Sequence, residues 1–203
     1  MQIKILREAG FDEAMLGISL SYNGRGDMKV VADKLVKRGG SHAKFLESIA
    51  VWIDITAPRY FWQQFDTYRI GVTKQSESTM HTLTKRPLTG KDFADHVACE
   101  MVDLMNELIA DNDLESAKAN LPESFLQRRI VCTNYMALQR IIRQRRTHKL
   151  AEWHVFIRSI FNQCEHPEFL ETLELKTENP ANDSDLIEQF NRNFDVPKER
   201  DDS

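Results

Sequence analysis

The sequence is poor in cysteine, has no long hydrophobic run and carries little net charge. Its three cysteines in 203 residues, Cys99, Cys132 and Cys164, are too few and too scattered for a disulfide framework or a CxxC zinc site. The longest apolar stretches, such as Ile49 to Ile53, are far shorter than the about 20 residues of a membrane-spanning helix, and Met1 to Ala9 carries charge where a signal peptide would be apolar. We therefore predict a cytoplasmic protein with no structural metal and no membrane span.

The net charge of -4 gives no general attraction to nucleic acid or to an anionic membrane, so anion binding must depend on local clusters of basic residues. One such cluster is present, because residues 124–151 contain seven Lys or Arg residues and no Asp or Glu. They are Arg128, Arg129, Arg140, Arg143, Arg145, Arg146 and Lys149. This basic segment could bind an anion, or it could be a solvated helix face.

The composition, with 41% hydrophobic residues, supplies enough apolar matter for one core. We predict a single catalytic domain over residues 1–170 and a loosely ordered acidic tail over residues 171–203, where ten acidic residues face four basic ones. Turn-prone residues at 179–184 and Pro197 interrupt that tail. One short amphipathic helix could form there from Leu186, Ile187, Phe190 and Phe194.

Two stretches have the pattern of half-buried strands. Apolar residues alternate with other residues over 49–56, and residues 125–133 are rich in β-branched and long polar side chains. Ile3 and Ile5 indicate a further short edge strand near the N-terminus.

Helical patterns fill much of the remaining sequence. Helices are predicted after Pro58, over 27–37 before Gly39-Gly40, over 91–110, and from a cap at Asn134 to Cys164 with one bend near Thr147. Residues 66–87 are polar and lack periodicity, so we predict a loop there. Strands and helices together indicate the α+β fold class.

Asn134 and Arg145 are candidate binding residues on one predicted helix. They are eleven residues apart, which places them about 20° apart around the helix and about 16 Å apart along it. A helix start offers free N–H groups to an anion, and a guanidinium grips phosphate through two parallel hydrogen bonds. The segment therefore suits an elongated phosphorylated molecule.

Several motifs occur in the order known from one enzyme family. The C-terminal half has Leu121-Pro122, then Asn134, Leu138 and Arg145. The N-terminal half has His42 followed by Phe45-Leu46-Glu47, the strand to Ala57-Pro58, Gln64 and Tyr68-Arg69-Ile70. Over roughly residues 15–165 this arrangement resembles the flavin-dependent thymidylate synthases (ThyX).

The resemblance implies a twisted antiparallel sheet flanked by helices and a homotetramer that binds FAD and dUMP. It also implies NADPH as electron donor and methylenetetrahydrofolate as the source of the carbon transferred to uracil C5. Catalytic roles would fall on Arg69 and Arg145. Flavin contacts would fall on Ser21, His42, Glu47, Tyr68, Arg69 and Asn134. Nucleotide contacts would fall on Gln64, Gln75, Ser76, Ser78, Lys118 and Arg145.

The sequence departs from the family in its most diagnostic motif. Thr67-Tyr68-Arg69 stands where the family has Arg-His-Arg, and Gln75, Glu77 and Thr79 replace an acidic residue, a serine and an arginine of the following loop. Lys118 replaces an arginine. A hydrogen bond to a charged group contributes about 1.5–3 kcal/mol, so loss of the family's arginines without replacement would weaken phosphate or flavin binding. The loop is therefore either rebuilt for another ligand or inactive.

Three functions stay open at this point. The first is the flavin enzyme acting on dUMP or a related pyrimidine nucleotide. The second is a binding or assembly protein that keeps the fold without catalysis. The third is a nucleic-acid-binding protein that uses the basic segment; it is the weakest, because the segment lacks interleaved aromatic residues.

Individual residues also have structural alternatives. His42 could be a loop histidine bonded to backbone, and Arg69 could pair with Asp66 or Asp54. Trp52, Trp62 and Trp153 are expected in the core, with no site role.

Overall fold

The computed structural model describes residues 1–24, 26–94 and 97–171. Within these residues the chain forms four strands, which are β1 (Gln2–Ala9), β2 (Ala50–Pro58), β3 (Val72–Ser76) and β4 (Leu126–Asn134). The same residues form eight α-helices: α1 (Phe11–Ser21), α2 (Met28–Arg38), α3 (Arg59–Phe65), α4 (Thr79–Thr82), α5 (Cys99–Ala110), α6 (Leu114–Ala119), α7 (Tyr135–Arg145) and α8 (Ala151–Gln163). Beyond Glu171, the predicted acidic tail and the short helix predicted within it lie outside the described residues.

The strands pair into one antiparallel sheet in the order β1-β2-β4-β3. Its central strand β2 buries Val51, Ile53 and Ile55 completely, while the alternate residues are half-buried. The predicted α+β class with an antiparallel sheet is confirmed, because period-2 burial on β2 leaves one face for the helices.

The main core fills the space between this sheet and the helices α1, α2, α3, α7 and α8. Its largest fully buried side chains are aromatic: Trp62, Trp153, Tyr135, Phe61, Phe65, Phe156 and Phe169. A smaller second core forms around Met105 of α5 and Ala117 of α6, together with Phe93 and Phe125. The main core holds the elements that carry most of the predicted site residues, whereas Lys118 lies on α6 beside the second core.

The outer edge of β1 is closed by the end of α8. The side-chain amide of Gln163 donates to the carbonyl oxygen of Ile3 at 3.1 Å and accepts from the backbone N–H of Ile5 at 3.0 Å. The backbone N–H of Glu165 donates to the Glu8 carboxylate at 2.8 Å. Edge strands leave backbone groups unpaired, and here side chains satisfy some of them.

Most predicted elements are confirmed. The strands over 49–56 and 125–133, the edge strand near the N-terminus and the helices after Asp27 and Pro58 are all present. The helix predicted from Asn134 to Cys164 is interrupted between Arg145 and Ala151, where the bend was expected.

Two element predictions are wrong. Residues 66–87 are not only a loop, because they contain β3 and α4. The helix predicted over 91–110 begins only at Cys99. The residues before it form a turn at Gly90–Asp92 with a capping box between Thr89 and Asp92, and Phe93 then pairs with Phe125 as an isolated bridge. Helices α1 and α6 were not predicted.

No helix in the described part of the chain is both long and apolar enough to cross a membrane.

Candidate functional site

A cleft of about 600 Å³ lies between α1 and the short 3₁₀ segment Gly40–Ser48. Ser21, the last residue of α1, lines it together with His42 and Glu47 of the 3₁₀ segment. Its volume falls in the range of small-molecule sites, and Ile18 and Phe45 give it apolar walls. The structure therefore brings three of the six predicted flavin residues to one cleft.

The polar lining of this cleft contains hydrogen-bond donors and acceptors, with more acidic than basic side chains. The Ser21 hydroxyl is a donor and acceptor, the His42 ring is exposed, and Lys44 adds a positive charge. Glu13 and Glu47 add two carboxylates, which accept hydrogen bonds from hydroxyl or amide donors. Hydroxyl and ring N–H groups of a flavin dinucleotide would fit these carboxylate acceptors, and Lys44 is the cation in this lining that could meet its phosphates.

Asn134 fixes the start of α7. Its side-chain oxygen accepts from the backbone N–H of Ala137 at 2.9 Å, so the predicted helix cap is confirmed. Its amide nitrogen lies against Gly71, where a Cβ atom would be only 3.1 Å from it, and Gly71 has φ +70°. A larger residue at position 71 would be strained and would push on the Asn134 amide.

The loop 67–71 is held by hydrogen bonds to three of its backbone carbonyls. Thr133 donates to Gly71 at 2.9 Å, Arg140 to Ile70 at 2.7 Å, and Lys74 to Tyr68 at 3.2 Å. Within this fixed loop the side chain of Arg69 is exposed. It does not pair with Asp66 or Asp54, whose carboxylates are bound by other cations.

Gln64, Tyr68 and Arg145 form one cluster with Trp153. The Nε of Arg145 donates to the Tyr68 hydroxyl at 2.8 Å, and its guanidinium carbon lies 4.8 Å from the Trp153 ring centroid. Trp153 donates from Nε1 to the Gln64 amide oxygen at 2.8 Å. Two residues predicted to bind nucleotide, Gln64 and Arg145, are therefore adjacent. Tyr68 is buried with 6% of its surface exposed, and it packs against Phe65 and Trp153.

The remaining predicted nucleotide residues lie on a second surface. Gln75 and Ser76 end β3, Ser78 precedes α4, and all three are exposed. Lys118 on α6 donates to the Thr79 hydroxyl at 2.7 Å, and both residues line a cleft of about 210 Å³ with Arg59. A cation therefore reaches this surface despite the loss of the family arginine at position 79.

Asn134 and Arg145 lie at opposite ends of α7, and their side chains engage different groups. Neither residue lines the cleft at Ser21 and His42 or the cleft at Thr79 and Lys118. The helix of eleven residues separates them by about 16 Å, so one ligand would have to be elongated to reach both.

Sequence reasoning missed a charge network next to the loop 67–71, in which the side chains of Lys74 and Arg129 are largely buried and that of Asp66 is 46% exposed. Asp66 accepts two hydrogen bonds from Arg129, at 2.9 and 3.0 Å, and forms an ion pair with Lys74 at 3.1 Å. The Arg129 guanidinium also stacks over Trp62 at 4.4 Å. Two cations share one carboxylate, which leaves a positive surplus here. From the sequence, Lys74 is a loop cation that could screen Glu77, and its pairing with Asp66 could not be predicted because β3 was not predicted.

Metal ligands do not converge in the described residues. Over residues 1–24, 26–94 and 97–171, no three His, Cys, Asp or Glu side chains are grouped so that they could hold a metal ion.

Comparison with known proteins relates this geometry to one family. The sequence profile described as "Thymidylate synthase complementing protein" matches residues 12–166. Comparison with curated protein sequences gives no match.

The fold is similar to two solved structures of the flavin-dependent thymidylate synthase ThyX from Helicobacter pylori with FAD and dUMP. The first has a TM-score of 0.70 at 20% identity and covers 84% of this chain and 98% of that one. The second has a TM-score of 0.68 at 21% identity and covers 84% and 97%. With its profile match over most of the described residues, the chain belongs to the thymidylate synthase complementing protein (ThyX) family.

Proposed function

We propose that this protein binds FAD and dUMP and methylates the nucleotide at uracil C5, with methylenetetrahydrofolate as carbon donor and NADPH as the source of electrons. One observation supports the proposal most: a chain of this family groups its predicted ligand residues in two places. These are the cleft lined by Ser21, His42 and Glu47, and the cluster of Gln64 and Arg145. The Helicobacter pylori relatives were solved with FAD and dUMP, which supports the same ligand classes.

Each residue has a defined task in this proposal. Ser21, His42 and Glu47 bind the flavin in the cleft, with Asn134, Tyr68 and Arg69 at the loop 67–71 and the start of α7. Reduced FAD, when bound, supplies the hydride that completes the methyl group. Arg69 places a positive charge at the exposed tip of its loop.

The nucleotide residues fall into two groups. Gln64 and Arg145 orient the pyrimidine ring through hydrogen bonds, and stacking of Arg145 on Trp153 limits the movement of its guanidinium. Gln75, Ser76, Ser78 and Lys118 bind the sugar and phosphate, where the Lys118 ammonium supplies the cation.

We place these sites in a homotetramer, as the family resemblance implies. Support comes from exposed apolar side chains beside the flavin cleft, since Leu16 and Leu20 of α1 are 63% and 76% exposed. Large apolar side chains at neighbouring positions on one helix face favour burial against another chain. Multi-angle light scattering then gives four times the chain mass of 23.6 kDa for the wild type and a smaller mass for Leu20→Glu.

The proposed activity has a direct test. Purified protein is expected to be yellow from bound flavin, and to release tritium from dUMP labelled at C5 when NADPH and methylenetetrahydrofolate are added. His42→Ala should weaken FAD binding about 10-fold or more, because a hydrogen bond to a charged group is lost. His154→Ala, at an exposed position on α8 outside the cleft, is the matched control. Colourless protein that takes up no flavin on soaking contradicts the proposal.

Nucleotide binding without catalysis is the second candidate, and the loop after β3 favours it. Glu77 is exposed beside Ser76 and Ser78, where its carboxylate repels a phosphate. The cations around it screen this charge only in part, because each is already paired: Lys74 with Asp66, Arg86 with Asp92 and Arg128 with Asp54. This candidate predicts dUMP and FAD binding with tritium release at background.

The basic segment gives nucleic-acid binding little support. Arg128 is bound to Asp54, Arg129 to Asp66, and Arg140 to the Ile70 carbonyl. Cations that already have partners have less to gain from phosphates.

A further inference from the structure

Trp153 fixes the orientation of the Gln64 side-chain amide. The indole N–H can only donate, so the amide atom that it meets at 2.8 Å is the oxygen of Gln64. Trp153 itself is fully buried and is held among Phe61, Phe65 and Phe156, with its ring stacked on Phe65 at an interplanar angle of 8°. A buried, tightly packed ring offers the amide one fixed partner.

With the Gln64 amide fixed, the hydrogen-bonding groups that the cluster can still offer to a ligand are donors. Arg145 also approaches the Gln64 oxygen, at 3.5 Å, and Gln64 Nε2 meets no acceptor within the described residues. Because the Tyr68 oxygen accepts from Arg145, the hydroxyl hydrogen of Tyr68 remains able to donate. Gln64, Tyr68 and Arg145 therefore all have donors left over, while the side-chain oxygens of Gln64 and Tyr68 already accept hydrogen bonds.

Within the described residues, the carboxylate that is closest to Tyr68 in sequence does not offset this bias. Asp66, two residues before Tyr68, is held by Arg129 and Lys74. A ligand ring that meets these side chains must present acceptors such as carbonyl oxygens. An amino group there would face another donor and leave hydrogen bonds unmade.

We propose that Trp153 is a positioning residue that holds Gln64 as a donor, so that the cluster selects a ring carbonyl over a ring amino group, and hence uracil over cytosine. The inference rests on the proposed nucleotide function and adds to it the residue that sets base selection. Without the indole N–H, the Gln64 amide can rotate and offer its oxygen to an amino group.

The test compares dUMP and dCMP binding by calorimetric titration of the whole chain with bound FAD. Wild type is expected to bind dUMP at least about 10-fold more tightly than dCMP. Trp153→Phe keeps an aromatic ring but removes the N–H, and should bring this ratio at least about 5-fold closer to one. Trp62→Phe is the matched control, because its N–H is bonded to the backbone carbonyl of Gln127 at 2.9 Å, away from Gln64. The proposal is overturned if both variants keep the wild-type ratio, or if both lose it equally.

Gln64→Glu provides a second variant if Trp153→Phe fails to fold. A glutamate keeps an oxygen for Trp153 and Arg145, but its other oxygen accepts where Nε2 donated. Binding of dUMP should fall at least about 10-fold, and more than binding of dCMP. Unchanged dUMP binding overturns the proposal.

The results separate this inference from the function on which it rests. Wild type that binds dUMP and dCMP equally overturns the selection alone, whereas wild type that binds neither overturns the proposed function and the selection together. Hydrogen exchange of the Trp153 indole, followed by NMR, reports the pairing without any ligand. Gln64→Leu should accelerate it at least about 10-fold, and an unchanged rate overturns the positioning role.

Discussion

Asn134 gives the sharpest test of the proposed flavin site, because it also caps a helix. Asn134→Ala removes the acceptor for the Ala137 N–H at 2.9 Å. Loss of such a cap costs about 1 kcal/mol of the free energy of unfolding, which lowers the melting temperature by about 2–4 °C in a domain of this size. The alanine variant alone therefore mixes a stability effect with any binding effect.

Asn134→Asp separates the two effects. Aspartate caps a helix as well as asparagine does, and its charge is favourable at the positive helix start. The melting temperature should then stay at the wild-type value or above it. The amide donor is gone, however, so a residue that contacts flavin through that donor should show an FAD Kd raised about 10-fold.

Asp113→Ala is the matched control for lost stability. Asp113 caps α6 by accepting from the Ser116 N–H at 3.0 Å, and it is distant in sequence from all predicted flavin residues. This variant should lose stability like Asn134→Ala and bind FAD like wild type. Circular dichroism gives the melting temperatures, and quenching of flavin fluorescence gives the Kd values. Wild-type FAD affinity in Asn134→Asp would refute the flavin contact and leave Asn134 as a cap only.

Three further predictions concern stability and reactivity. Gly10→Ala should cost about 2–4 kcal/mol in urea unfolding, because Gly10 has φ +95° and its Cβ would lie 2.2 Å from the Ser48 carbonyl oxygen; wild-type stability would contradict this. Hydrogen bonds from Arg86 lower the pKa of Asp92, so the stabilisation from this carboxylate is complete above about pH 4 and is lost as the pH falls through the lowered value. The stability difference between wild type and Asp92→Asn should therefore shrink between pH 6 and pH 3, and a constant difference would count against the pair. Burial raises the pKa of Cys164 to about 12, so its thiol should react with a disulfide reagent at pH 8 only on unfolding, and fast labelling of Cys164 in native protein would disprove its burial.

The sequence predicts those elements whose own pattern decides them. Strand β2 was predictable because strict alternation places Val51, Ile53 and Ile55 on one face. The cap at Asn134 was predictable because the residue type and its position before an apolar period both favour a helix start. Strand β3 lacks such a signal, since Val72 is its one buried residue, and its strand form depends on pairing with β4.

The candidate site likewise contains residues that a sequence motif marks and contacts that only packing creates. His42 and Glu47, which line the cleft, were predicted as site residues because their motif resembles that of the ThyX family. The partner of Gln64 could not be recognised in this way, because Trp153 lies 89 residues further along the chain and spacing alone assigns it to the core. Packing of α8 against α3 brings the two together, and only three-dimensional structure reveals that a core tryptophan also directs a polar side chain.

The hydrogen bonds between the Gln163 side chain and the backbone of β1 have a consequence for synthesis of the chain. The ribosome makes β1 before α8 and reaches Gln163 only 160 residues after Ile3. Until then the carbonyl oxygen of Ile3 and the N–H of Ile5 lack their side-chain partner, and a nascent chain presents an open edge to other strands. Protein truncated just before Gln163 should accordingly aggregate during translation, even though every residue lining the cleft at Ser21 and His42 has already been made.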